Sequence, residues 1–166
     1  MSSANPVAVP HTTPVRKPRR PLFWAGITLG GLFLAAAIGM AVMMWRMSYV
    51  PSDLDLSTTR LSDNGLFRGS YVSRADPIEI NQIHSWTLHV AAPDGAPVEN
   101  AEIRVDGDMP QHGHGLPTQP LVTQNLGNGD YLVEGMKFQM TGWWVVDFYI
   151  TADGHSDMVR FNLLLK

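Results

Sequence analysis

The sequence contains no cysteine. Disulfides, thiolate metal sites and cysteine nucleophiles are therefore excluded, and a fold placed in an oxidising compartment must stand on its core alone. A soft metal ion, if held, must use methionine and histidine. The first 48 residues also lack any Asp or Glu; all fifteen acids lie between Asp53 and Asp157. From residue 49 onward, seven Lys/Arg face those fifteen acids, a net charge of −8. An acidic domain repels phosphate backbones, so nucleic acid is not an expected partner. No glycine-rich phosphate loop leads into a helix, and no nucleophile–base–orienter set is spaced to form a triad. His155-Ser156-Asp157 has triad residue types, but adjacent residues in one turn cannot take that geometry. The expectation is a protein that is not an enzyme and takes no small-molecule substrate.

Charge is also absent from the 24 residues Leu22–Trp45. At about 1.5 Å per residue such a helix reaches about 36 Å, enough to cross a hydrocarbon layer of about 30 Å with some tilt. Trp24 and Trp45 lie at its ends, where aromatic rings favour the membrane interface. Arg16, Lys17, Arg19 and Arg20 precede it, and Arg46 alone follows closely. That asymmetry predicts an N-terminus in the cytoplasm and a C-terminal domain in the periplasm of a bacterial inner membrane. The run exceeds the roughly 7–15 residues of a cleavable signal's apolar core. Arg19-Arg20 reads as a topogenic basic cluster rather than a twin-arginine signal. The organisation expected is a disordered, basic, Pro-rich tail over 1–21, a transmembrane helix over 22–47, a stalk over 48–64 and a β domain over 65–166. The bilayer is one partner, and an envelope or membrane protein is another.

Strand-like runs and turn signals alternate from Leu66 onward. Trp86, Leu88 and Val90 share one face of a run ending at Ala91; Ala101, Ile103 and Val105 alternate with charged residues. A long Gly/Pro/His loop is expected from Met109 to Pro120, then strands over Leu121–Gln124 and Tyr131–Phe138. Trp144, Val146, Phe148 and Ile150, and then Val159, Phe161, Leu163 and Leu165, form two more inward faces. About seven short strands with regular turns predict an antiparallel β-sandwich of immunoglobulin-like type. Gly129-Asp130-Tyr131 resembles its tyrosine corner.

Chemistry concentrates in Asp108-Met109-Pro110-Gln111-His112-Gly113-His114-Gly115. Two histidines separated by one glycine can aim their rings at one point, and Met109 lies three residues before them. Met136, Phe138 and Met140 share strand parity, with Met140 in the turn before Gly142. If Met140 shares a sandwich end with the Met109 loop, its thioether completes a three- or four-donor site. Thioether and imidazole together favour copper, as Cu(I). Zinc fits less well, because two histidines lack a clear third ligand unless Asp108 supplies it. Met136 reads equally as core filler. His84, on the parity of Trp86, is expected to be buried and hydrogen-bonded. His89 and His155 are expected at the surface, with Asp153 and Asp157 on a solvated face.

The stretch from about Asn81 to Leu165 resembles the FixH/YtkA-like family of membrane-anchored bacterial proteins. The resemblance is carried by His84-Ser85-Trp86, the Gly95–Val98 turn, the Met109–Thr118 loop, Gly129-Asp130-Tyr131 and Phe138-Gln139-Met140-Thr141-Gly142-Trp143. It implies a periplasmic immunoglobulin-like domain linked to copper handling, as a chaperone for a respiratory copper enzyme, with Met109, His112, His114 and Met140 as metal ligands. The alternative reading is a membrane-tethered scaffolding or assembly subunit that holds no metal. Its motif is the Gly26/Gly30 pair, which lets a second helix approach closely.

Overall fold

The computed structural model describes residues 20–166. The tail expected over 1–21 lies almost wholly outside the described residues. Helix α1 (Arg20–Ser48) forms because Leu22–Trp45 offers no proline or charge to interrupt it. Its segment Trp24–Ser48 is long and apolar enough to cross a membrane. The chain divides into two units at residues 45 and 46, and the second holds the β domain.

Nine strands follow: β1 (Thr59–Leu61), β2 (Arg68–Ser73), β3 (His84–Ala91), β4 (Glu102–Met109), β5 (His114–Gly115), β6 (Leu121–Gly127), β7 (Asp130–Met136), β8 (Gly142–Ala152) and β9 (His155–Leu165). All pair antiparallel, in the order β1-β2-β3-β7-β6-β4-β8-β9, with β5 on β4. Only Arg104 opposite Leu121 joins β4 to β6. At that thin link the sheet folds over into two layers: β1-β2-β3-β7-β6 against β5-β4-β8-β9. Rings pack across the gap, Trp86 to Phe148 at 6.3 Å and Tyr71 to Phe161 at 4.9 Å between centroids. The expected inward faces are the observed ones: Trp86, Leu88, Val90, Trp144, Val146, Phe148, Ile150, Val159 and Phe161 are all fully buried. Each such side chain contributes about 1.5–3 kcal/mol on leaving water.

Tyr131 does more than turn a corner. Its hydroxyl donates to the Val98 carbonyl at 2.6 Å and accepts from the Ala101 N–H at 2.9 Å. It thereby pins the connection between β3 and β4, some thirty residues upstream.

The stalk expected over 48–64 ends earlier than its sequence suggested. Thr59–Leu61 is strand β1, and the next residues close the seam between the layers. The Asp63 N–H donates to the Met158 carbonyl at 2.9 Å. Beside it Asp157 is buried, so the solvated face expected for it holds only for Asp153. The Asp157 carboxylate accepts from the backbone N–H and the side-chain amide of Asn64, each at 3.0 Å, and from the Leu66 N–H at 3.3 Å. Removing the acceptor with Asp157→Ala leaves the part-buried Asn64 and Leu66 donors to water and is expected to cost about 1 kcal/mol.

The same group gives the fold an acid limit. Burial pushes the Asp157 carboxyl up, but hydrogen bonds from the Ser62 hydroxyl, the Met158 and Leu66 N–H groups and Asn64 outweigh it and lower its pKa from 3.8 to about 2. A depressed folded-state pKa adds stability above the unfolded value, and this is lost as pH falls through the folded one. Thermal unfolding followed by circular dichroism is therefore expected to show the midpoint dropping between about pH 4 and 2. The drop should be shallower in Asp157→Asn.

Candidate metal centre

The segment expected to be a loop from Met109 to Pro120 begins as a tight hairpin. Strand β4 runs on to Met109, turns through Pro110–Gly113 and returns as β5, with Met109 opposite His114 and Asp108 opposite Gly115. The His112 and Gly113 N–H groups both donate to the Met109 carbonyl, at 2.9 and 2.8 Å. Gly113 sits at φ +63, the left-handed conformation that such a turn requires and glycine adopts freely. The hairpin holds the two histidine rings nearly parallel, 19° apart, with centroids separated by 6.1 Å. Two imidazoles sharing one ion through bonds of about 2 Å have centroids about 5–6 Å apart, the longer value for a near-linear pair, and 6.1 Å lies at that end. His112 is half-buried and His114 exposed.

Met109 behaves differently. Only 1% of it is exposed, and it belongs to the hydrophobic core. It shares strand parity with the buried Val105 and Gly107, so the signal was present: β4 simply extends four residues further than its charged alternation implied. The Met109 methyl fills the space a side chain at Gly142 would need, 2.7 Å from an ideal Cβ there.

That contact settles one conditional expectation. The turn Lys137–Thr141, which carries Met140, lies at the same sandwich end as the Met109 hairpin. Gln139 Nε2 donates to the Gly115 carbonyl at 3.3 Å, and Trp144 Nε1 donates to the Met140 carbonyl at 2.9 Å. The Met140 side chain is half-buried against the core. β7 stops at Met136, and both Met136 and Phe138 are fully buried. Sequence reasoning missed Gln111 and Gln139. Gln111 donates to the Tyr49 carbonyl at 3.0 Å, and its Oε1 lies 3.6 Å from the space above Gly142. Gln139 Oε1 is buried without a hydrogen-bond partner. Neither has a sequence signal beyond proximity to the Met/His motifs.

Among the described residues, no three His, Cys, Asp or Glu side chains gather into a metal-binding group. Asp108 therefore does not join the histidines as the third ligand zinc would want. What the hairpin carries is two imidazoles at or near the surface and one methionine in the core.

The other described histidines lie on β3 and β9. His89, expected at the surface, is half-buried and paired with Asp130 at 2.7 Å. His155 is exposed at the start of β9. His84 is half-buried.

Residues 72–148 match the family model described as YtkA-like. Over those residues the β domain is similar to the YtkA-like family. The match takes in Met109, His112, His114 and Met140, and with them both loops of the sandwich end. No curated protein and no solved structure matches the chain. The chain thus combines a stretch similar to the YtkA-like family with an N-terminal helix of membrane-spanning length.

Proposed function

We propose that the protein is a membrane-anchored accessory that holds Cu(I) on an exported YtkA-like domain and yields it to an envelope partner. The observation that carries this reading is the hairpin: paired rings 6.1 Å apart over a buried thioether, beside the turn that bears Met140. His112 and His114 are the capturing ligands, because they lie outermost and can exchange. Met109 and Met140 are the soft donors beneath them. Handing on an ion needs exposed, replaceable ligands, and His114 is the exposed one. Thioethers hold no proton, so the sulfur donors compete with nothing but packing. The basic residues before α1 support a cytoplasmic N-terminus, a single pass through the inner membrane and a periplasmic β domain.

The test is a Cu(I) titration of the full chain in detergent against a competing chelator. The His112→Ala/His114→Ala variant is expected to bind at least tenfold more weakly, a loss of about 1.4 kcal/mol or more. Unchanged affinity overturns the assignment and leaves a tethered domain whose work is assembly rather than metal transfer.

A further inference from the structure

His84 opens β3 with its ring against the core, 5.8 Å from Phe138 and 6.4 Å from Trp86 between centroids. Its two nitrogens differ. Nδ1 lies 3.3 Å from the Gln82 carbonyl. A carbonyl only accepts, so in the neutral ring Nδ1 carries the proton and Nε2 the lone pair. Nε2 is buried and has no hydrogen-bond partner. Leaving a buried acceptor unsatisfied is costly, so a polar or metallic partner is favoured there. Burial lowers the His84 pKa, with the Gln82 hydrogen bond opposing it, and keeps the ring neutral. A neutral imidazole steered by a carbonyl through one nitrogen, with a bare lone pair on the other, is arranged as metal-bound histidines are.

Across the β3–β7 ladder, the residue opposite His84 is Met136. Side chains directly opposite in an antiparallel pair start about 4.5–5.5 Å apart at Cβ. Met136 is fully buried in the same cluster as Phe138 and Trp86, so its thioether lies on the core side, as the His84 ring does. One imidazole nitrogen and one thioether make a soft two-donor set. That set suits a monovalent ion such as Cu(I) and is too small for a divalent ion that wants four ligands. Trp86 Nε1 is another orphaned buried group, and as a donor only it cannot bind a cation.

We propose that His84 Nε2 and the Met136 thioether form a second Cu(I) position, inside the sandwich end and separate from the His112/His114 hairpin. It draws on the same soft-donor chemistry but uses none of the hairpin's residues, so the two assignments stand or fall separately. The hairpin would be the exchanging position and the inner pair a shielded one.

The full chain in detergent is titrated with Cu(I) under chelator competition, in wild type and three variants. Met136→Leu conserves volume and keeps the core filled, which guards against loss of the fold. Wild type is expected to bind two equivalents. Met136→Leu alone, and His112→Ala/His114→Ala alone, should each bind one, and the triple variant none. A hairpin variant that binds no copper, or whose copper is untouched by Met136→Leu, overturns the inner position. Wild-type and hairpin variants binding alike, with loss only on Met136→Leu, would sink the hairpin assignment and leave this one standing. As a second reading, Ag(I) is added to the ¹⁵N-labelled protein as a diamagnetic stand-in. The His84 Nε2 resonance is expected to shift more than Nδ1. A static Nε2 signal overturns the proposal.

Discussion

Gly129→Ala is expected to lower stability by about 3–4 kcal/mol, from the sum of two costs. The first is backbone strain. Gly129 sits at φ +78, where an L side chain costs about 1–2 kcal/mol. The second is a collision. An ideal Cβ there falls 2.5 Å from the Val90 carbonyl oxygen and 3.1 Å from the Pro97 side chain. The Val90 oxygen cannot move aside cheaply, since it accepts the Val98 N–H and belongs to the central strand β3. The Gly129 carbonyl in turn accepts the Val90 N–H at 2.8 Å, so displacing the turn also breaks that bond. Gly127→Ala separates the two costs. It shares the strained conformation, at φ +81, but has nothing within 4 Å of its would-be Cβ. Urea unfolding should show Gly127→Ala losing about 1 kcal/mol and Gly129→Ala about three times that. Equal losses would mean that the close approach to β3 is not what fixes this glycine.

The comparison also shows which features the sequence exposes. Gly127-Asn128-Gly129 reads as a turn from its residues, but the contact that makes only one of its glycines irreplaceable comes from a strand forty residues away. The same division runs through the fold. Alternation along Trp86–Val90 and Trp144–Ile150 marks their inward faces, because burial on one side of a strand leaves a period of two. Thr59–Asn64 carries no such pattern. It joins the sandwich through backbone bonds to Met158 and the carboxylate of Asp157, and hydrogen bonds to a distant acid leave no periodic trace. Asp157 itself looks like any polar residue in a strand. The Met109 hairpin was legible as a cluster of donors. Its pairing with β4 was not, because the four residues Pro110–Gly113, with Pro and Gly among them, suggest an open loop rather than a turn that closes on itself. His84 illustrates the limit most clearly. Parity placed it near the core, but an unpartnered nitrogen is a fact about neighbours rather than about the strand.

Met109 joins packing and proposed function in one side chain, so its substitutions are expected to divide by kind. Met109→Ala removes a fully buried side chain from beneath the hairpin and leaves a cavity, a loss of about 2–5 kcal/mol. Met109→Leu nearly conserves volume and should cost less than about 1.5 kcal/mol. Both lose the thioether. If sulfur is a ligand, Cu(I) affinity falls in both, at least tenfold in the folded Leu variant, although only Ala unfolds readily in urea. If Met109 is packing alone, the Leu variant keeps its copper affinity and the Ala variant weakens only as far as the hairpin loosens. The geometry makes the Leu variant the decisive one. The Met109 methyl already occupies the space above Gly142, so the sulfur stands one bond back from the end of the side chain and within the core. An ion held by His112 and His114 reaches it only if the hairpin and the Lys137–Thr141 turn part slightly. That opening would strain the Gln139 bond to Gly115, a side-chain hydrogen bond that ties the two loops. Gln139→Ala in the Met109 background therefore separates access from chemistry: it should speed copper uptake in stopped-flow measurements where sulfur is present and change nothing where Met109→Leu has removed it.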